Sequence, residues 1–176
     1  LSHNILAKAP EVHEFVVIVK NDGKFNALSQ TAGRTFCAHA PPNLGTLVLL
    51  SQFDNPARQP VIASTEGWDK IYEGVDSGRC TGGVLPLANL KKFDKNGRHM
   101  KVLHKSQPMQ NQAFSAGPRI TAEQQVKLAA ALTAPSAAVH TEKLRSAYKI
   151  GPRFIATSNQ EYAGLSQYLR NEWGYY

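Results

Sequence analysis

The sequence has few cysteines, no long apolar run and no internal repeat, and each shortage narrows what it can encode. Its 176 residues include two cysteines, Cys37 and Cys80, outside any CxxC pair. Only His39 lies near either of them, so no metal pattern is present, and the even count leaves either one disulfide or two buried thiols. The six histidines, His3, His13, His39, His99, His104 and His140, contain no pair at metal-ligand spacing, so no zinc site is expected. The longest apolar stretches, residues 15–19 and 46–50, fall far short of the ~20 residues that cross a bilayer. No signal peptide is visible before Leu1, and the chain reads as a processed product or a piece of something longer.

What is present is an ordinary globular composition, 42% hydrophobic and 19% charged, with a length suited to one well-cored domain. Twenty Lys and Arg against thirteen Asp and Glu give a net charge of +7, which favours anionic partners. The densest basic patch, Lys91, Lys92, Lys95, Arg98, Lys101 and Lys105, brackets Asn96-Gly97 and reads as a solvated turn between two elements. No nucleic-acid signature accompanies it, so no nucleic-acid partner is expected.

Hydrophobic periodicity alternates between strands and helices. The run 15–19 (FVVIV) is continuous and β-branched, as in a strand buried on both faces. Strands follow at 34–39, 59–63 and 79–85. Helices run from a cap at Asn43 to about Phe53, and from Trp68 to Val75 with Ile71, Tyr72 and Val75 on one face. Short links between strand, helix and strand imply parallel crossovers, hence a doubly wound, mainly parallel open sheet flanked by helices. Residues 100–104 and 112–115 read as short strands. The capping box Thr121 to Gln124 opens a helix through Leu132, a second helix covers 137–148, and Ser158 caps a third carrying Tyr162, Leu165, Leu169 and Trp173. The expected organisation is one domain over 1–176, with an α/β lobe at 14–118 and carboxy-terminal helices at 119–176 packing on it.

With that order of elements, several segments resemble the phosphate, phosphite and phosphonate-binding proteins of ABC importers. The strand 15–20 matches that family's crossing into the second lobe. Residues 28–39 (LSQTAGRTFCAH) resemble its L-x-x-L-x-G-K-x-F-A helix and strand. The proline-bearing loop 40–46, the turn 65–69, the strand 78–84 (GRCTGGV) and the return segment 106–111 (SQPMQN) continue the resemblance. It spans about residues 14–165 and implies one lobe of a periplasmic binding protein-like fold with a helical carboxy terminus. If that register holds, the resemblance implies that the amino-terminal lobe of such a protein is missing from the chain. Similar domains also form the sensing portion of membrane histidine kinases and diguanylate cyclases.

The resemblance implies a non-enzymatic solute-binding domain in the periplasm, anchored if at all through a neighbouring segment, with no cofactor and a small anionic ligand. Ligand in such a fold sits outside the carboxyl ends of the strands. Three stretches are placed there: Asn43, Leu44, Gly45 and Thr46 at one helix start, Thr65, Glu66, Gly67, Trp68 and Asp69 at another, and Thr81 with its two following glycines. The sequence departs from the family at each. Trp68 replaces a histidine of a Ser-His-Asp run, Thr81 stands where an acid is usual, and the Ser-Thr-Ser-Gly loop is shortened to Asn-Leu-Gly-Thr. These changes favour another oxyanion or a small organic acid over phosphonate, or a lobe that has kept the fold as an interaction surface. The partner would be a membrane permease or a membrane signalling domain, and the aromatic end at Trp173, Tyr175 and Tyr176 tilts the reading toward a sensor. In a doubly wound sheet of order 2-1-3 the strands of Cys37 and Cys80 are neighbours, so a disulfide fits the oxidising compartment, and two packed thiols are the alternative. Cys37 and His39 share a strand face, but no third group orients them, so no enzyme is expected.

Overall fold

The computed structural model describes residues 3–173, with side chains through residue 171. The tail expected at Gly174, Tyr175 and Tyr176, and the Trp173 side chain, lie outside the described residues. In chain order the first elements are β1 (Asn4–Lys8), β2 (Val12–His13), β3 (Phe15–Lys20), β4 (Thr35–Ala38), α1 (Leu44–Leu50), β5 (Val61–Ser64), α2 (Trp68–Asp76), β6 (Gly82–Pro86), α3 (Leu87–Phe93) and β7 (Met100–Lys105). They are followed by β8 (Met109–Gln110), β9 (Ala113–Ala116), α4 (Ala122–Thr133), α5 (Ala137–His140), α6 (Glu142–Tyr148), β10 (Ile155–Ala156) and α7 (Leu165–Trp173). No helix among the described residues is long and apolar enough to cross a membrane.

The chain divides differently from the expected lobe with helices packed on it. One unit contains residues 14–107 and 165–176, the other residues 1–13 and 108–164. Helices α4 to α6 therefore belong with β1, β9 and β10, and only α7 joins the larger unit, where it packs on α1. The strand β1 went unread because its apolar run, Ile5-Leu6-Ala7, is three residues long.

The larger unit is built on a five-stranded sheet of order β5-β4-β6-β3-β7. Strands β4, β5 and β6 are parallel, β3 is antiparallel to β6, and β7 is antiparallel to β3, so four of five strands share one direction. The parallel series has the expected 2-1-3 order. Strand β3 is buried from Phe15 to Val19 because it lies inside the sheet and helices cover both faces. Alternation sends Val16 and Ile18 to one side, where they pack with Val75, Leu85, Leu90 and Met100 under α2 and α3. Phe15, Val17 and Val19 face the other side, toward α1, every residue of which from Gly45 to Leu50 is buried.

Cys37 on β4 is bonded to Cys80, with 5.6 Å between their Cα atoms and a sequence separation of 43. Both sulfurs sit in a buried cluster with Ile71 of α2. The turn after α3 is anchored differently. The Asp94 carboxylate, buried, accepts the backbone N–H groups of Met100 at 2.9 Å, His99 at 3.2 Å and Arg98 at 3.2 Å. Burial alone would raise its pKa, but these donors and the nearby His99 ring outweigh it, and the net shift is downward. On β7, burial lowers the pKa of His104.

The smaller unit carries a three-stranded antiparallel sheet, β10-β1-β9, and a two-stranded ribbon of β2 and β8. Helix α4 packs on β1 and β10 and opens with the expected capping box, Thr121 Oγ1 accepting from Gln124 N at 3.3 Å and Gln124 Oε1 from Thr121 N at 2.9 Å. The single helix expected over 137–148 is split at Thr141, whose hydroxyl donates back to the Ala137 carbonyl at 2.8 Å, a bond that bends helices. Ser158 makes no side-chain cap. A short 3-10 turn covers Asn159–Tyr162 instead, and α7 begins only after Gly164. Phe114 and Phe154 meet edge to face at 4.9 Å, and Lys8 is buried in an ion pair with Glu161.

Two outcomes test this account. Reducing the disulfide should lower the unfolding free energy by about 2–4 kcal/mol, read from urea midpoints with and without dithiothreitol. The double substitution C37A/C80A should show no such response to reductant. For Asp94 the folded pKa lies below the unfolded one, so its stabilisation is complete above the ordinary carboxylate range and is lost as pH falls through the folded value. Asp94→Asn should cost about 1.5–3 kcal/mol at neutral pH and flatten the acid limb of a stability-against-pH curve.

Candidate functional site

In the larger unit, the carboxyl ends of the parallel strands carry most of the residues singled out from the sequence. Past β4 the chain runs through His39 and a cis peptide between Pro41 and Pro42 to Asn43, which caps α1 by accepting the Gly45 N–H at 3.0 Å. Thr46 is fully buried, and its hydroxyl donates to the His39 carbonyl at 2.6 Å. Gly45 permits a close approach, but of protein rather than ligand. A Cβ there would stand 2.6 Å from the Phe15 ring.

At the end of β5, Thr65 extends the ladder by one bond, its N–H donating to the Ala38 carbonyl at 2.8 Å while its hydroxyl bonds the Ala63 carbonyl at 2.9 Å. Gly67, at φ 93, turns the chain into α2, and no side chain caps that helix. Its first-turn N–H groups are consequently open to another acceptor. Glu66 and Asp69 are exposed, Leu44 and Trp68 half-buried.

These two helix starts meet through aromatic rings. Trp68 stands edge to face against His39, with ring centroids 4.2 Å apart and planes at 78°. The Phe15 ring, seated on Gly45, lies 6.4 Å from Trp68. Phe15 is itself fixed by its backbone N–H, which donates to the buried Ser106 hydroxyl at 2.9 Å. Beside it Glu14 pairs with Lys105 at 2.7 Å. The ring nitrogens of His39, the Trp68 Nε1–H and the Asn43 side-chain Nδ2 make no hydrogen bond among the described residues.

Thr81 is not part of this group. Its N–H donates to the Thr35 carbonyl at 2.9 Å, at the amino ends of β4 and β6. Since β6 then runs five residues to Pro86, Thr81 lies at the opposite edge of the sheet, roughly 16 Å away. The resemblance places Thr81 at the ligand edge because an acid is usual there in the family, although the strand expected over 79–85 already puts it near that strand's start. The glycines after it are the start of β6, and they lack side chains because neighbours occupy the space. Conversely His39 and Phe15 were not singled out as site residues. The signal for His39 was its position one step beyond a strand and next to a proline loop. The thiol chemistry considered for Cys37 and His39 does not arise, because Cys37 is in the disulfide.

A mostly parallel sheet with helices on both faces and two helix starts at its strand ends is an arrangement that this chain shares with solved structures that include a solute-binding protein. XAC2383 from Xanthomonas citri, bound to ATP, is 12% identical, with 95% of this chain and 70% of that chain covered at a TM-score of 0.74. The same protein bound to chloride ion gives 11% identity, 94% and 69% coverage and a TM-score of 0.68. A binding-protein component of an ABC phosphonate transporter from Pseudomonas aeruginosa gives 16% identity, 94% and 61% coverage and a TM-score of 0.60. No curated protein matches the sequence. The family model for the periplasmic substrate-binding protein of phosphonate ABC transporters matches residues 3–162, and the chain belongs to that family. Its members bind solutes outside the cytoplasm.

The committed hydroxyl of Thr46 yields a direct test. Thr46→Val keeps the shape and leaves the His39 carbonyl unpaired, and it should cost about 1–3 kcal/mol in a thermal or urea melt. Unchanged stability would mean that the hydroxyl is not a structural tie.

Proposed function

We propose that the carboxyl edge of the larger unit captures a small solute that has an electronegative group joined to a flat or apolar portion. The observation that carries this reading is the pairing of Trp68 and His39 at 4.2 Å beside the uncapped start of α2. The helix start offers N–H donors to a partial or full negative charge, while the indole and imidazole offer apolar faces and ring nitrogens.

The local charges argue against a compact, doubly charged phosphonate held by this edge alone. Glu66 and Asp69 are exposed there, Lys105 is paired with Glu14, and Lys70 with Glu73 at 3.0 Å. The hydroxyls of Thr46 and Thr65 are both committed to backbone carbonyls. Asn43, Gly67, Trp68 and His39 are the residues of this edge that face a ligand in this proposal, and Thr81 is left out.

The chain spans 61–70% of the length of the solved structures named above. In a complete protein of that size a further lobe would add the remaining contacts. The family description supports an importer component that delivers its solute to a membrane permease. The same capture chemistry would serve a membrane sensor, with a signalling domain in the permease's place.

The test is a thermal-shift screen of the chain and of its full-length gene product against phosphate, phosphonates, aryl phosphonates, nucleotides and carboxylates. A ligand at a hundred times its dissociation constant should stabilise the fold by roughly 2.7 kcal/mol. Trp68→Ala and His39→Ala should abolish the shift and Thr81→Ala should preserve it. If the full-length protein responds to none of these solutes, the capture reading fails, and an interaction module is the better description.

A further inference from the structure

The opposite edge of the same sheet has a character of its own. Every loop at the amino ends of the parallel strands converges there, and backbone hydrogen bonds knit them together. Asn21 N donates to the His99 carbonyl at 2.9 Å and Gly33 N to the Arg58 carbonyl at 3.3 Å. Val61 N donates to the Arg34 carbonyl at 2.9 Å. The result is a continuous strip across five strands, about 19 Å wide at the ordinary strand spacing.

Lys24, Arg34, Arg58, Lys95 and Arg98 are exposed along this strip, and none of them is in an ion pair among the described residues. Three exposed carboxylates, Asp22, Asp54 and Asp76, share the edge, so the five exposed cations outnumber them by two. The fourth acid, Asp94, is buried and turned inward onto backbone N–H groups.

A half-buried phenylalanine sits among these cations. The Phe25 ring has the Lys24 ammonium 5.6 Å and the Arg34 guanidinium 6.0 Å from its centroid. Lys101 holds the loop in place, its ammonium donating to the Phe25 carbonyl at 3.1 Å and the Asn26 side-chain oxygen at 2.7 Å. Cations spread over a strip do not converge on a single dissolved anion. They match a broad surface of negative charge, and an aromatic ring set between them matches the boundary between headgroups and acyl chains.

We propose that this amino edge is a docking face for an anionic lipid surface, with Phe25 as the apolar contact and Lys24, Arg34 and Arg98 as the principal charges. It lies at the far edge of the sheet from the capture residues and does not depend on what they bind. Each cation near an anionic leaflet contributes about a fivefold gain in partitioning, screened at high salt.

The experiment is sedimentation of the chain with vesicles of phosphatidylcholine, with and without phosphatidylglycerol. Binding should require phosphatidylglycerol and fall steeply at high salt. K24Q/R34Q should weaken it about 25-fold, two fivefold steps, and Phe25→Ser should weaken it further, with the thermal melt of each variant unchanged. K127Q/K143Q, which removes equal charge from the other unit, should bind as the parent chain does. Binding indifferent to lipid charge, or an equal loss in K127Q/K143Q, would overturn the proposal. So would equally tight binding to heparin with no effect of Phe25→Ser, which would mark a general polyanion surface instead.

Discussion

The larger unit depends on how closely both layers of helices and side chains approach β6. Its first two residues are Gly82 and Gly83, and the sheet's alternation points them to opposite faces. A Cβ on Gly82 would stand 2.5 Å from the Phe36 ring, and one on Gly83 2.9 Å from Ile71 and 3.0 Å from Val75. The empty positions are therefore filled from both sides, by an aromatic ring of β4 below and by α2 above. That seating sets how α2 lies on the sheet, and so where Trp68 at its first turn meets His39. The candidate site is positioned from the far end of the helix that carries it.

The same closeness explains what could and could not be read from the residues. Long apolar or periodic segments were legible. The continuous run of β3, the parallel series β4, β5 and β6, the capping box of α4 and the neighbouring cysteines all follow from local pattern and from the topology that pattern implies. Short elements were not. β1 has three apolar residues, and β8 has two residues in all, opposite β2. Such strands are defined by their partners rather than by their own sequence, and the division of the chain into two units rests on them.

For the site, sequence reasoning found the helix starts, because caps and turn glycines are local signals. It misjudged individual roles, because burial and partner choice are not local. Thr46 and Thr65 look like ligand hydroxyls until their carbonyl partners are seen. Gly45 reads as an opening for a ligand when it is the seat of Phe15. Thr81 is placed with the ligand residues by resemblance when it lies just before the start of β6, at the other edge. The basic turn reads locally as solvated charge, and only the fold shows that Lys24 and Arg34 of a different loop lie at the same edge.

The bond between Cys37 and Cys80 also gives the chain a history. A protein of a periplasmic family is made where thiols stay reduced, and it must be threaded through a membrane before it can work. Without the bond the cluster of Cys37, Ile71 and Cys80 has only packing to hold it, so a chain of this family that meets an oxidant only after crossing would gain the crosslink's stability at its destination and not before.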